Sequence, residues 1–220
     1  MNSKRKIALI TGISLLLMAV IAGFAYGYVY TGLVDAKDAT GTLHRIREQR
    51  ILFNSGIAAW IVIFILDLLV TKGVFSYFKG SHATGAMITA GLRLMYTAML
   101  GVAIVQLLSV PSMLYAEDAA EKVLPALLGF EQMWSLGLIV FGGHLIGLGI
   151  LALRSVDIKR IFGWMLILAG AGYCFVHGLK NAAPSHTTFV AQAEAILALP
   201  MMLGELLFAL WLVARGGKTV

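Results

Sequence analysis

The chain reads as an all-α integral membrane bundle of six transmembrane helices, and three observations carry that reading. Its composition, 60% hydrophobic and only 13% charged with a mean hydropathy of +0.88, does not fit the core-plus-surface mixture of a soluble domain. Six stretches reach the roughly 20 mostly apolar residues that a span requires: residues 7–28, 51–75, 87–108, 130–153, 161–179 and 195–214. Asp67, Arg93, His144, His177 and Glu205 sit inside these stretches. A charge at the centre of a span costs about 2.5–3.5 kcal/mol on insertion scales, so such side chains line a protein interior or a cavity. Residues 1–220 therefore form one membrane domain with no room for a soluble one, the longest polar connection running only from Tyr30 to Arg50.

Taken in order, the first span follows Lys4, Arg5 and Lys6 and ends in Ala22-Gly23-Phe24-Ala25. A secretory signal has that outline too, but the apolar run here is longer than a signal core, which favours a retained helix. The second and third spans flank a basic turn with Lys72 and Lys79, and the fourth and fifth flank Arg154, Lys159 and Arg160. Between the third and fourth spans, Met113 to Leu128 mixes acids and apolar residues at helical spacing, which predicts a short helix at the outer interface, and Asn181 to Glu194 suggests another. Gly142, Gly143, Gly147 and Gly149 in the fourth span, with Gly163, Gly170 and Gly172 in the fifth, predict close packing of those two helices. Cys174, the only cysteine, is expected to be a buried structural thiol. Trp60, Trp134, Trp164, Trp211, Tyr26, Tyr28 and Tyr30 mostly fall near span ends and read as interfacial anchors.

Basic residues orient the chain, because Lys and Arg in short loops tend to remain cytoplasmic. Ten of them, from Lys4 to Lys218, fall on the side of the termini and six on the other, where most of the acids also lie. Both termini are therefore expected in the cytoplasm, against which the outer cluster from His44 to Arg50 argues. A basic rim beside anionic headgroups accounts for the net charge of +6 without nucleic acid.

Depth turns the interior residues into a constellation. At about 1.5 Å of rise per residue, Arg93 lies roughly 16 Å from His82, His144 roughly 15 Å from Arg154, and Glu205 roughly 15 Å from Arg215. Asp67 is nearer the basic turn or level with them, depending on where its helix ends. Four helices thus bring two acids, an arginine and a histidine to one layer. The expected arrangement pairs Arg93 with Asp67 or Glu205, bonds His144 to the remaining carboxylate, and adds Tyr96, three residues after Arg93 on the same face. A network that fixes helix packing accounts for these residues about as well as a ligand-binding or proton-relay site. His177, near the outer end of its span, is expected at the interface.

Other chemistries fail on spacing. Paired histidines at one depth are lacking for haem, no lysine lies mid-span for a retinal Schiff base, and Arg93 competes for the carboxylates a zinc ion would need. Phosphate loops and nucleophile elbows are absent. No cofactor or metal is expected, and the sequence evidence for catalysis is thin.

Several stretches resemble the bacterial six-helix membrane proteins grouped as domain of unknown function 4386: ILDLLV around Asp67, ITAGLRLMYTAM around Arg93, FGGHLIGLGILALRS around His144, IKRIFGWMLILAGAGYCF, and LPMMLGELLFALWLVARG around Glu205. The resemblance implies a multi-pass protein of the cell membrane, a bacterial inner membrane, with these polar positions inside, and it brings no activity. Three readings stay open. One is a bundle that binds or transports a small ligand or a proton at Asp67, Arg93, Tyr96, His144 and Glu205, through a cavity open to the cytoplasm. The others are a structural or accessory subunit of a membrane complex, and an intramembrane enzyme using His144 and Glu205. Membrane lipid is the expected partner, with a small-molecule ligand, a second copy or another membrane protein as further candidates.

Overall fold

A computed structural model describes residues 2–182 and 187–218. Helix α1 (Ser3–Ala22) starts on an Asn2 side chain that accepts from the Arg5 amide, and it continues as a π-helical stretch (Gly23–Tyr30) and a last turn, α2 (Thr31–Leu33). After a short amphipathic helix, α3 (Ala39–Glu48), come the long helices α4 (Arg50–Phe78), α5 (Ala83–Met113), α6 (Ala119–Arg154), α7 (Arg160–Ala182) and α8 (Thr187–Ala214). Among the described residues, six helices are long and apolar enough to cross a membrane.

Each runs past the apolar stretch that predicts it, because polar and interfacial residues at the ends keep the helical hydrogen bonds going. The largest difference is in α6. Residues 119–128 do not form a separate interfacial helix but extend the span to 36 residues, through Pro125. The surface helix is instead α3, which buries Thr42, Leu43 and Ile46 and lies against α6. The other expected surface helix falls partly outside the described residues, and on either side of 183–186 the chain continues α7 and α8.

The long helices close into a ring: α1 packs on α4, α4 on α5, α5 on α6, α6 on α7, α7 on α8, and α8 returns to α1. Glycines set the closest approaches. A Cβ on Gly142 would lie 2.6 Å from the Gly170 carbonyl oxygen, and one on Gly149 would lie 2.6 Å from that of Gly163. Gly147 faces Thr89 of α5 and Gly172 faces Met201 of α8, so the α6 and α7 glycines serve three interfaces rather than the single predicted one. Cys174 is half-buried against Gly142, with its thiol directed at the Ile139 carbonyl.

Both termini lie at one end of the ring. There the Arg5 guanidinium donates to the carbonyls of Leu212, Val213 and Gly216, satisfying acceptors that the end of α8 leaves open. At the far end, Arg47 donates to the Leu114 carbonyl after α5, and Arg45 to that of Leu33. Outward faces are apolar: Ile88, Leu94, Val102 and Val105 of α5 are at least half exposed, while Thr89, Arg93 and Thr97 of the same helix are enclosed. This polar-in, apolar-out pattern is that of a bundle solvated by lipid.

Candidate functional site: a sealed ionic cluster below a far-end cavity

Arg93 lies ten residues into α5, and Asp67, His144 and Glu205 lie eleven, ten and nine residues before the ends of their helices. Antiparallel neighbours therefore bring all four to one layer, about 14–17 Å from the terminal end at 1.5 Å per residue.

Arg93 is the hub. Its Nε donates to Asp67 Oδ1 at 2.8 Å, its Nη2 is 2.6 Å from the same oxygen, and its Nη1 is 2.6 Å from Glu205 Oε1. The same Nη1 meets His144 Nε2 at 3.1 Å. Guanidinium nitrogens only donate, so Nε2 accepts and the imidazole hydrogen sits on Nδ1, which donates to the Thr89 carbonyl at 2.9 Å. The expected His144–carboxylate bond is thus replaced by a histidine–arginine bond, and Arg93 pairs with both acids rather than with one.

Asp67, Arg93 and His144 are 0% exposed, whereas the Glu205 side chain keeps 21% of its surface. The Phe141 ring lies over the guanidinium at 5.5 Å and stacks on His144. Arg93 joins α5 to its neighbours α4 and α6 and, across the ring, to α8. Asp67 Oδ2 is buried without a hydrogen-bond partner among the described residues.

Tyr96 is buried beside Phe141, but no hydrogen bond joins it to the other four among the described residues. One helical turn is enough to carry its hydroxyl past the ionic layer. His177 is 6% exposed rather than interfacial, with Nδ1 2.9 Å from Ser135 Oγ. It sits seven residues further along its helix than His144 does from the terminal end, a separation of about 10 Å.

A cavity of about 810 Å³ lies at the far end of the ring. Tyr26 of the π-helical stretch, Glu131, Trp134 and Ser135 of α6, Tyr173, His177, Lys180 and Asn181 of α7, and Glu194 and Met201 of α8 all contribute to it. Asn181 Nδ2 donates to Ser135 Oγ and to the His177 carbonyl, and Lys180 pairs with Glu194 at 2.8 Å. Tyr26 and Tyr30 direct their hydroxyls at the two oxygens of Glu131, at 3.3 and 3.5 Å. Tyr173 at the cavity wall packs edge-on against Phe141, with ring centroids 5.2 Å apart. One aromatic layer thus separates the cavity from Arg93.

Glu131, Ser135 and Asn181 were not singled out in the sequence, because a polar residue near a span end looks like an ordinary interfacial one. The aromatic residues offered a usable signal. Tyr26 and Tyr30, and Phe130 and Trp134, are pairs four apart that share a helix face, and together with Trp60 they form one interior cluster. Of the seven aromatic residues read as anchors, Trp164 and Tyr28 are largely exposed; Trp60, Trp211 and Tyr30 are buried instead.

These features define a multi-pass helical membrane protein with a polar cluster enclosed in a six-helix ring. Residues 10–216 match the family described as Domain of unknown function (DUF4386), and the chain belongs to that family. A protein of Archaeoglobus fulgidus described as uncharacterized is 27% identical over 157 residues, covering 71% of this chain and 81% of that protein. No solved structure matches the chain.

Proposed function

We propose that the protein holds a small ligand inside the bundle, in the far-end cavity, with the Arg93 cluster as a charge-bearing layer beneath it. The observation that carries this reading is a cavity of about 810 Å³ whose wall, Tyr173, touches the aromatic cap of Arg93. A bundle that served packing alone has no need of such a space next to a polar layer.

The cluster brings two acids to one guanidinium, with His144 accepting from that guanidinium as a neutral ring. One proton on the two acids makes the cluster with Arg93 neutral, which a low-dielectric interior favours. Asp67 Oδ2 is a buried acid oxygen without a partner among the described residues, and Glu205 is the member with accessible surface, through which a proton would be exchanged. Protonation and occupancy of the cavity are linked in this reading through the Tyr173–Phe141 contact.

Native mass spectrometry of the purified protein, released from detergent, tests the proposal. The wild type and Lys37→Ala are expected to carry a small-molecule adduct that Ser135→Trp, whose indole intrudes on the cavity, lacks. A bare protein mass for all three, with no thermal shift across a library of cationic, anionic and neutral metabolites, would overturn it. A second reading has its own observation: the complete enclosure of Asp67, Arg93 and His144 favours a role for these residues in locking α5 to three helices, as in a structural subunit.

A further inference from the structure

We infer that the far-end cavity is a site for an organic cation, with Glu131 as its counter-charge and the rings of Tyr26, Trp134 and Tyr173 as its walls. This rests on the reading of the cavity as a ligand compartment and adds the chemical class of the ligand.

The charges that line the cavity do not cancel. Lys180 is engaged with Glu194 at 2.8 Å, and the neighbouring Asn181 and Ser135 are neutral and bonded to each other and to His177. Glu131 is left over. Among the described residues it has no cationic partner; the Tyr26 hydroxyl donates to it at a long 3.3 Å, and the single hydrogen of Tyr30, 3.5 Å away, goes to the closer Leu127 carbonyl at 2.9 Å. A half-buried carboxylate beside aromatic rings near the far end of the span gains from an opposite charge.

The surroundings select the kind of cation. Aromatic faces attract a desolvated positive charge through the ring quadrupole, best for Trp and well for Tyr. A metal ion wants several oxygen ligands at short range, whereas here Glu194 is paired with Lys180 and the remaining carboxylate stands beside aromatic rings in a space many times the volume of an ion. That combination fits an amine, quaternary ammonium or similar cation with an apolar body, for which Leu138 and Met201 supply the matching surface. The chain also departs from regular helix where it meets Glu131. The π-helical stretch Gly23–Tyr30, closed by a bond from the Thr31 amide to the Tyr26 carbonyl, sets the Tyr26 and Tyr30 rings face to face, 5.4 Å apart, beside the carboxylate. π-helical segments inserted in α-helices are found often at functional sites.

The test uses the protein in nanodiscs and three ligands that share a triphenyl body and differ in charge, tetraphenylphosphonium, tetraphenylborate and neutral triphenylphosphine oxide, followed by equilibrium dialysis. Saturable binding of the phosphonium in preference to the other two is expected. Glu131→Gln should weaken phosphonium binding by at least about tenfold, the minimum for losing a desolvated charge contact, while leaving the phosphine oxide unchanged. Glu131→Asp, which keeps the charge, should retain the preference, so a merely misfolded Gln variant cannot pass for support. Equal affinity for cation and neutral analogue, unaffected by Glu131→Gln, overturns the cation assignment and leaves the cavity reading standing. Saturable binding of none of the three by the wild type overturns both.

Discussion

Arg93 is the residue on which the interior depends, since it alone bonds to Asp67, Glu205 and His144. Truncating one member of a buried ionic group leaves the others uncompensated, which typically costs about 3–5 kcal/mol. Arg93→Ala is therefore expected to melt far below the wild type in detergent, with a smaller drop for the partly exposed Glu205→Ala, while the exposed Lys37→Ala melts with the wild type. Replacing the group together, as Arg93→Met with Asp67→Asn and Glu205→Gln, removes the stranded charges and should recover most of the lost stability. Thermal unfolding followed by size-exclusion chromatography reads all four; identical melting of Arg93→Ala and the wild type would remove the cluster from any account of stability. The four ionised or titratable members were legible because lipid excludes them and their depths agree to within a turn. Tyr96 was not separable by the same logic. Its spacing from Arg93 gives a shared face, but the position of a hydroxyl at the tip of a ring follows from rotamers that only packing decides.

The interface between α6 and α7 offers a matched pair of tests at adjacent positions. A methyl on Gly142 would meet the Gly170 carbonyl and the Cys174 thiol, both at 2.6 Å, and both belong to a rigid neighbouring helix. A methyl on Gly143 would meet only Leu92 Cδ1, at 3.7 Å, an ordinary contact. Gly142→Ala is expected to destabilise by about 1–3 kcal/mol through overpacking, and Gly143→Ala to be neutral or to stabilise by up to about 1 kcal/mol, since alanine is the better helix former. Thermal melts of the two variants side by side decide it, and equal behaviour would mean that backbone contact does not define this interface. Glycine counts predicted close packing here, but they could not assign Gly147 to Thr89 or Gly172 to Met201, because the direction of each glycine around its helix depends on where the ring closes. The continuity of α6 across Pro125 was hidden for a related reason. Pro125 stands at the seventh position of α6, past the N–H groups that a helix start leaves free, so it removes an intrahelical hydrogen bond and looks like a break; the mixed polar and apolar segment before it therefore looks separate from the span and is not.

At the scale of the whole molecule the ring places both termini at one end, with the cavity at the other, and the distribution of charge argues for which end faces the cytoplasm. Several far-end cations have local duties that balance or occupy them. Arg45 and Arg47 donate to carbonyls at helix ends, Lys122 pairs with Asp118, and Lys180 pairs with Glu194. The cluster from His44 to Arg50 that stood against the expected orientation is thus partly spent on capping, which weakens it as a topological signal. At the terminal end, Lys72, Arg154, Lys159 and Arg160 make no ion pair among the described residues and form a basic rim, as the positive-inside rule expects of a cytoplasmic face. Single cysteines placed on a Cys174→Ala background test this directly. With a membrane-impermeant maleimide on intact cells, Lys37→Cys is expected to label and Lys159→Cys to label only after the membrane is opened. The reverse pattern would turn the protein over and put the cavity with Glu131 on the cytoplasmic side, so that a cation would have to reach it from within the cell.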